Sequence, residues 1–234
     1  MKPRIVIIAL LLVLLSALGV QAAPQRHVLP SGLTVIVDEN HEAPVAAFQV
    51  WVRAGSAFER PGEYGITHLI EHMIFKGTPS QPVGSLARTI EGLGGEINAY
   101  TTFDHTNYYV SAASNFAPKV LQLLADAVVN ASFDSAELKR EKEVVFEEIR
   151  MNLDKPSRRL GWAVMRETFG EDHPYGRPIL GSIESVRAIS RQDILDYRAR
   201  WYNASNMLVV AVGDFKAAEL LPLIEKAFKD VPTK

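Results

Sequence analysis

Ile66-Thr67-His68-Leu69-Ile70-Glu71-His72-Met73-Ile74 decides how this chain is read. Ile66, Leu69, Ile70, Met73 and Ile74 recur at helical spacing and form one apolar stripe, which predicts an amphipathic helix. His68, Glu71, His72 and Phe75 fall on the opposite face. Histidines at i and i+4 project one turn apart on the same face, so both imidazoles reach a single ion. Glu71 lies about 60° from His68 around the helix, on the side away from His72. It can lean over a metal without ligating it, where a general base belongs. The order is the reverse of His-Glu-x-x-His, and it reads as half of a zinc site with its catalytic carboxylate included. Gly62 and Gly65 loosen the chain before the helix, and Gly77-Thr78-Pro79 end it.

A third ligand is best sought on the other strongly patterned acidic helix, predicted over 134–153. Asp134 and Glu137 form an Asp-x-x-Glu capping arrangement, and no Gly or Pro interrupts the turns that follow. Leu138, Val145, Ile149 and Leu153 make its apolar stripe, flanked by Val144 and Phe146. Glu143 and Glu147 point away from that stripe. Glu148 sits on its flank, and Glu141 lies two turns earlier on the same line. A half-buried carboxylate is unfavourable unless it is paired or bound to a cation, which prefers Glu148 over Glu147 as a ligand.

These residues resemble the pitrilysin/insulinase family of zinc peptidases, which includes the mitochondrial processing peptidases. The resemblance rests on His68-Leu-Ile-Glu71-His72 with the distant Glu148 in Glu-Val-Val-Phe-Glu-Glu-Ile-Arg. It extends through 75–78, 94–101 and 173–178, and covers the chain from about Val28 onward in the family's order. It implies zinc held by His68, His72 and Glu148, Glu71 as the base that activates water, and Glu141 supporting the site from behind the ligands. It also implies that Asn98 and Ala99 contact a peptide substrate. Family members carry a second, similarly folded half with an Arg/Tyr pair that helps bind the peptide. This chain stops at Lys234, so the expectation is an N-terminal half whose partner half is supplied in cis or in trans.

Composition is that of an ordinary folded domain, with 47% hydrophobic residues and a formal net charge of −2. No basic run points to nucleic acid. Cysteine is absent, so any metal site must use His and carboxylate. Lys2 and Arg4, an apolar run over 5–15 and the small-residue segment ending at Ala22 follow the order of a secretory signal. The expectation is cleavage after Ala22 and export to the periplasm or the extracellular space of a bacterial host, with an uncleaved membrane anchor as the alternative.

The remaining roughly 210 residues, 23–234, suit one α+β domain, a mixed sheet packed with helices. Strands are predicted over 33–38, 45–53, 96–102, 105–113 and 207–213, the last an apolar run suited to a buried central strand. Helices are predicted over 85–93, 117–130, 134–153, 158–169, 191–202 and 217–229 besides the metal helix. Residues 95–100, if an edge strand, would hold a peptide extended across the metal. The function these features imply is zinc-dependent endopeptidase activity. Zinc lowers the pKa of a water toward about 7, and Glu71 takes its proton and passes it to the leaving amine. The alternative is a non-catalytic assembly subunit of the same fold.

Overall fold

The computed structural model describes residues 23–233, so the secretory-signal reading of 1–22 lies outside the described residues. Six strands form one mixed sheet: β1 (Gln25–Val28), β2 (Thr34–Glu39), β3 (Val45–Val52), β4 (Glu96–Thr101), β5 (Thr106–Ala113) and β6 (Met207–Gly213). Their order is β1-β2-β6-β3-β5-β4. Among the described residues, only β2 and β6 pair in parallel, and a parallel pair needs a long crossover. Here that crossover is most of the domain, and it contains the candidate site. β3 is antiparallel to both neighbours, with Phe48 opposite Val110 on one side and Ala211 on the other.

Period-two alternation buries one face of this sheet. Val35, Val37, Phe48, Val50, Tyr108, Val110, Val209 and Ala211 are all buried on it. α3 (Ala117–Asn130) covers β5 and β3, and α8 (Ala217–Ala227) packs on α3 and β2. α1 (Ile66–Ile74) and α2 (Ser85–Gly92) lie against β4. α4 (Ser135–Leu153) crosses α1, and α5 (Pro156–Phe169) follows α4. α6 (Ile183–Ala188) and α7 (Arg191–Trp201) lead back to β6. The result is the α+β architecture that the sequence implied. Among the described residues, no helix is long and apolar enough to cross a membrane.

Several local expectations need correction. β6 is interior, yet only alternate residues are fully buried, because helices cover one face of the sheet and leave Leu208 and Val210 half-buried. Leu153 is exposed rather than part of the α4 stripe, and α5 buries no residue. α5 starts earlier than expected, with Pro156 in its first turn, where a missing N–H does no harm. β1 and α6 were not anticipated. β1 is a short, mostly exposed edge strand, and α6 opens on a Ser182/Ser185 capping box instead of one ending in Glu or Gln.

A polar clasp ties the β2–β3 loop to the neighbouring ends of β5 and β6. His41 Nδ1 lies 2.6 Å from Asp214 Oδ1, and Nε2 lies 3.0 Å from Glu39 Oε1. Ser114 Oγ donates to Asp214 Oδ2 at 2.8 Å, and the Ala217 N–H donates to Glu39 Oε2 at 2.8 Å. Two carboxylates facing both ring nitrogens suit an imidazolium, and they raise the His41 pKa, Asp214 most strongly. A raised folded-state pKa gives stability that is fully present below the ordinary histidine value of about 6.5 and is lost as pH rises through the folded value. The melting temperature of the wild type should therefore exceed that of His41→Gln most below about pH 6.5, and the gap should narrow as pH rises above that. A pH-independent gap would mean that the clasp contributes no charge pairing.

Candidate metal centre

The metal helix starts in an unusual way. Its N-cap, Gly65, has φ 92° and no capping side chain. A Cβ there would lie 2.5 Å from the Leu180 carbonyl oxygen, so only glycine fits. Glu59, buried in the preceding loop, supplies the missing cap. The Gly65 N–H donates to Oε2 at 2.9 Å and the Thr67 N–H to Oε1 at 3.0 Å. Burial pushes the Glu59 carboxyl up to about 7 despite these two backbone donors. Thr67 Oγ1 donates to Tyr197 OH at 2.9 Å, which ties the same turn to α7. Ile66, Leu69, Ile70, Met73 and Ile74 are fully buried, and the rotation of the helix is fixed.

That rotation aims both histidines at α4. His68 Nε2 and His72 Nε2 each lie 3.6 Å from Glu148 Oε2, and one ligand atom from each of the three residues lies within 4.8 Å of the others. A separation of 3.6 Å is long for a hydrogen bond. It is close to the edge of a tetrahedron, about 3.4 Å, around an ion with N and O ligands at about 2.1 Å. Two imidazoles and one carboxylate are also a donor set that zinc accepts with a position left open. The residues present therefore fit a zinc ion. Glu147, by contrast, faces solvent and pairs with Arg150.

A second carboxylate stands behind the first set. Glu141, buried on the same face of α4 as Glu148, accepts from His72 Nδ1 at 3.3 Å and from Lys76 Nζ at 2.8 Å. This turns His72 Nε2 toward Glu148, the arrangement that orients a ligating imidazole. The two histidines differ in charge. Desolvation, reinforced by His72, brings the His68 pKa down to about 4 and keeps that ring neutral. Desolvation also acts on His72, but Glu141 and Glu148 overcome it and raise the pKa to about 9. Glu148 is held below the usual carboxylate range chiefly by the adjacent His72.

Glu71 takes no part in the ligand triangle. Its Oε2 accepts a 2.5 Å hydrogen bond from Thr101 Oγ1, the last residue of β4. Burial raises the Glu71 pKa, and this bond opposes the rise. Asn98 and Ala99 lie on β4 outside the ligand cluster, and the Ala99 N–H donates to Asn98 Oδ1 at 2.8 Å. β4 is an edge strand. His105 packs on Trp51 with ring centroids 4.9 Å apart, and His173 Nδ1 accepts from the Tyr175 N–H at 3.1 Å. Neither belongs to the ligand cluster. Sequence reasoning missed Glu59, Lys76 and Thr101. Lys76 carried a usable signal, since it follows His72 by one helical turn.

Residues 34–182 match the Insulinase (Peptidase family M16) family, and residues 188–234 match the Peptidase M16 inactive domain. The chain belongs to the insulinase family. It is 34% identical over 214 residues to cytochrome b-c1 complex subunit 1 of Bos taurus, covering 91% of this chain and 44% of that protein. It is 35% identical over 206 residues to an uncharacterized zinc protease of Mycobacterium bovis, covering 88% of this chain and 47% of that one. A protease from Helicobacter pylori superposes with a TM-score of 0.85 at 26% identity, over 90% of this chain and 51% of that chain. The chain thus spans about half the length of the relatives it matches. Membership alone does not decide catalysis, since these relatives carry both protease and respiratory-complex names.

The ligand assignment is checked by metal analysis after zinc loading and dialysis. His68→Ala and His72→Ala should lose bound zinc while keeping their helical circular dichroism, and Glu147→Gln should retain it. Glu141→Gln should bind zinc roughly 10- to 100-fold more weakly. Zinc content equal to wild type in both histidine variants would contradict the assignment.

Proposed function

We propose that this chain is the zinc-binding N-terminal half of a metalloendopeptidase, formed by residues 23–234 after removal of 1–22 as an export signal. The observation that carries the reading is the convergence of His68 and His72 on Glu148 at 3.6 Å, with Glu71 beside the cluster and bonded elsewhere. Zinc bound there would supply Lewis acidity and a water acidified toward neutral pKa. Glu71 accepts a proton at a carboxylate oxygen and returns it to the leaving amine, and its burial-raised basicity suits both transfers. Glu141 and Lys76 keep His72 oriented. The substrate is a peptide or small protein laid in extended form along the open edge of β4, where Asn98 and Ala99 lie. Asn98 Oδ1 occupies the Ala99 N–H in the way an incoming peptide carbonyl would.

A second half, in cis or as a partner subunit, completes the enclosure that holds the peptide in attack geometry. Its destination is the periplasm or the extracellular space. The relation to a cytochrome b-c1 subunit favours one other reading, a non-catalytic assembly subunit. The presence of the base together with the full ligand set supports the peptidase reading instead.

Glu71→Gln separates the two. In an assembly with the second half present, the variant should keep one zinc per chain and hydrolyse peptides roughly 10²-fold more slowly or worse. Hydrolysis at the wild-type rate would remove Glu71 from the mechanism. No zinc-dependent hydrolysis by the wild-type assembly would favour the assembly-subunit reading.

A further inference from the structure

The proposed base has a single side-chain partner among the described residues, and that partner sits on the strand proposed to receive the substrate. We infer that Thr101 is a positioning residue for Glu71, its hydroxyl holding the carboxylate clear of the metal ligands and tying the base to edge strand β4. The inference rests on the reading of Glu71 as the base and goes beyond it. It concerns what fixes that side chain and how its position is linked to peptide binding.

The geometry begins with the pleat. Along β4 the exposed residues are Glu96, Asn98 and Tyr100, while Ile97, Ala99 and Thr101 are half-buried. Thr101 therefore projects to the side on which α1 packs against the strand. Its backbone is held firmly. Thr101 pairs with Thr106, which is fully buried and donates from Oγ1 to the Ala54 carbonyl at 2.9 Å. One residue further on, the Thr102 N–H donates to His105 O at 2.8 Å, and Thr102 Oγ1 accepts from the His105 N–H at 3.0 Å. The Ser56 N–H donates to Thr102 O at 3.1 Å from a segment so close that a Cβ on Gly55 would collide with that carbonyl. A β-branched side chain on such a backbone has little rotamer freedom, so the hydroxyl is a fixed donor.

Glu71 is the flexible member of the pair. Its carboxylate is attached through three rotatable bonds and, without a partner, could swing toward the neighbouring ligand cluster. A hydroxyl–carboxylate bond of 2.5 Å is short and charge-assisted, and it pulls the other way, toward β4. The bond thus keeps Glu71 out of the open coordination position that hydrolysis needs. A peptide added to the edge of β4 would lie along the strand that ends in this donor. Any shift of the strand on binding would be transmitted to the base.

Thr101→Val removes the hydroxyl while keeping shape and strand preference, and Thr101→Ser restores the hydroxyl on a smaller side chain. In the assembly that contains the second half, Thr101→Val should lower kcat roughly 10-fold or more with KM changed less than about twofold, and Thr101→Ser should recover most of the loss. A second readout does not depend on turnover. The cobalt-loaded Thr101→Val chain should lose visible absorption intensity as Glu71 adds to the metal shell. Thr101→Ser should match wild type, and Thr101→Val combined with Glu71→Gln should recover the wild-type spectrum.

Should Val disturb the strand, as judged by melting temperature, Thr101→Ala provides the same comparison. Wild-type kcat and an unchanged cobalt spectrum in a folded variant lacking the hydroxyl would overturn the inference. If Glu71→Gln, measured in parallel, is inactive while Thr101→Val is not impaired, only this inference falls. If Glu71→Gln turns over at the wild-type rate, the reading of the base falls with it.

Discussion

The crossing of α1 and α4 is the contact on which the rest of the site depends. The two helices that carry the proposed ligands are far apart in sequence, and three candidate ligand atoms must still meet within a few ångströms. Apolar packing sets that distance. Ile66, Leu69, Ile70, Met73 and Ile74 on α1 and Val145, Phe146 and Ile149 on α4 are all buried. Each such side chain contributes roughly 1.5–3 kcal/mol on burial, enough together to oppose the several kcal/mol of desolvating a nearby charge. Rotating either helix by one residue, about 100°, would expose that stripe and turn the ligands away. The polar residues therefore occupy positions that packing has already fixed.

Charge is balanced within that frame. Glu141 is buried but bonded to Lys76 and His72, so its carboxylate is compensated on both oxygens. Glu148 is compensated chiefly by His72, and the same carboxylate oxygen faces both histidines. One histidine is kept neutral by burial and the other cationic by carboxylates, so two nominally equivalent ligands differ because of what lies behind each ring. Glu71, the proposed base, is treated separately. It is attached to the sheet through Thr101, while the ligands belong to the helices.

What could be read from the sequence follows from this division. The pair His68 and His72, and the line from Glu141 to Glu148, could be read because helical spacing in sequence is proximity in space. The choice of Glu148 over Glu147 followed from the flank of one stripe, and Glu147 indeed faces solvent. Glu59 and Thr101 could not be read in this way. Each acts on α1 from another element, across a loop or from a strand end, and local periodicity carries no trace of such contacts. The same limit explains β6, whose unbroken apolar run suggested burial on both faces, although helices cover only one. β1 has little apolar alternation to reveal it, and the exposed Leu153 shows a stripe continuing past the region where anything packs on it.

The most direct measurement is anomalous diffraction at the zinc absorption edge from crystals of the zinc-loaded chain. The account predicts one strong peak bounded by His68 Nε2, His72 Nε2 and a Glu148 carboxylate oxygen at about 2.0–2.2 Å, with Glu71 outside bonding distance and bonded to Thr101. A peak elsewhere in the chain, or Glu71 in place of Glu148 as the carboxylate ligand, would contradict it.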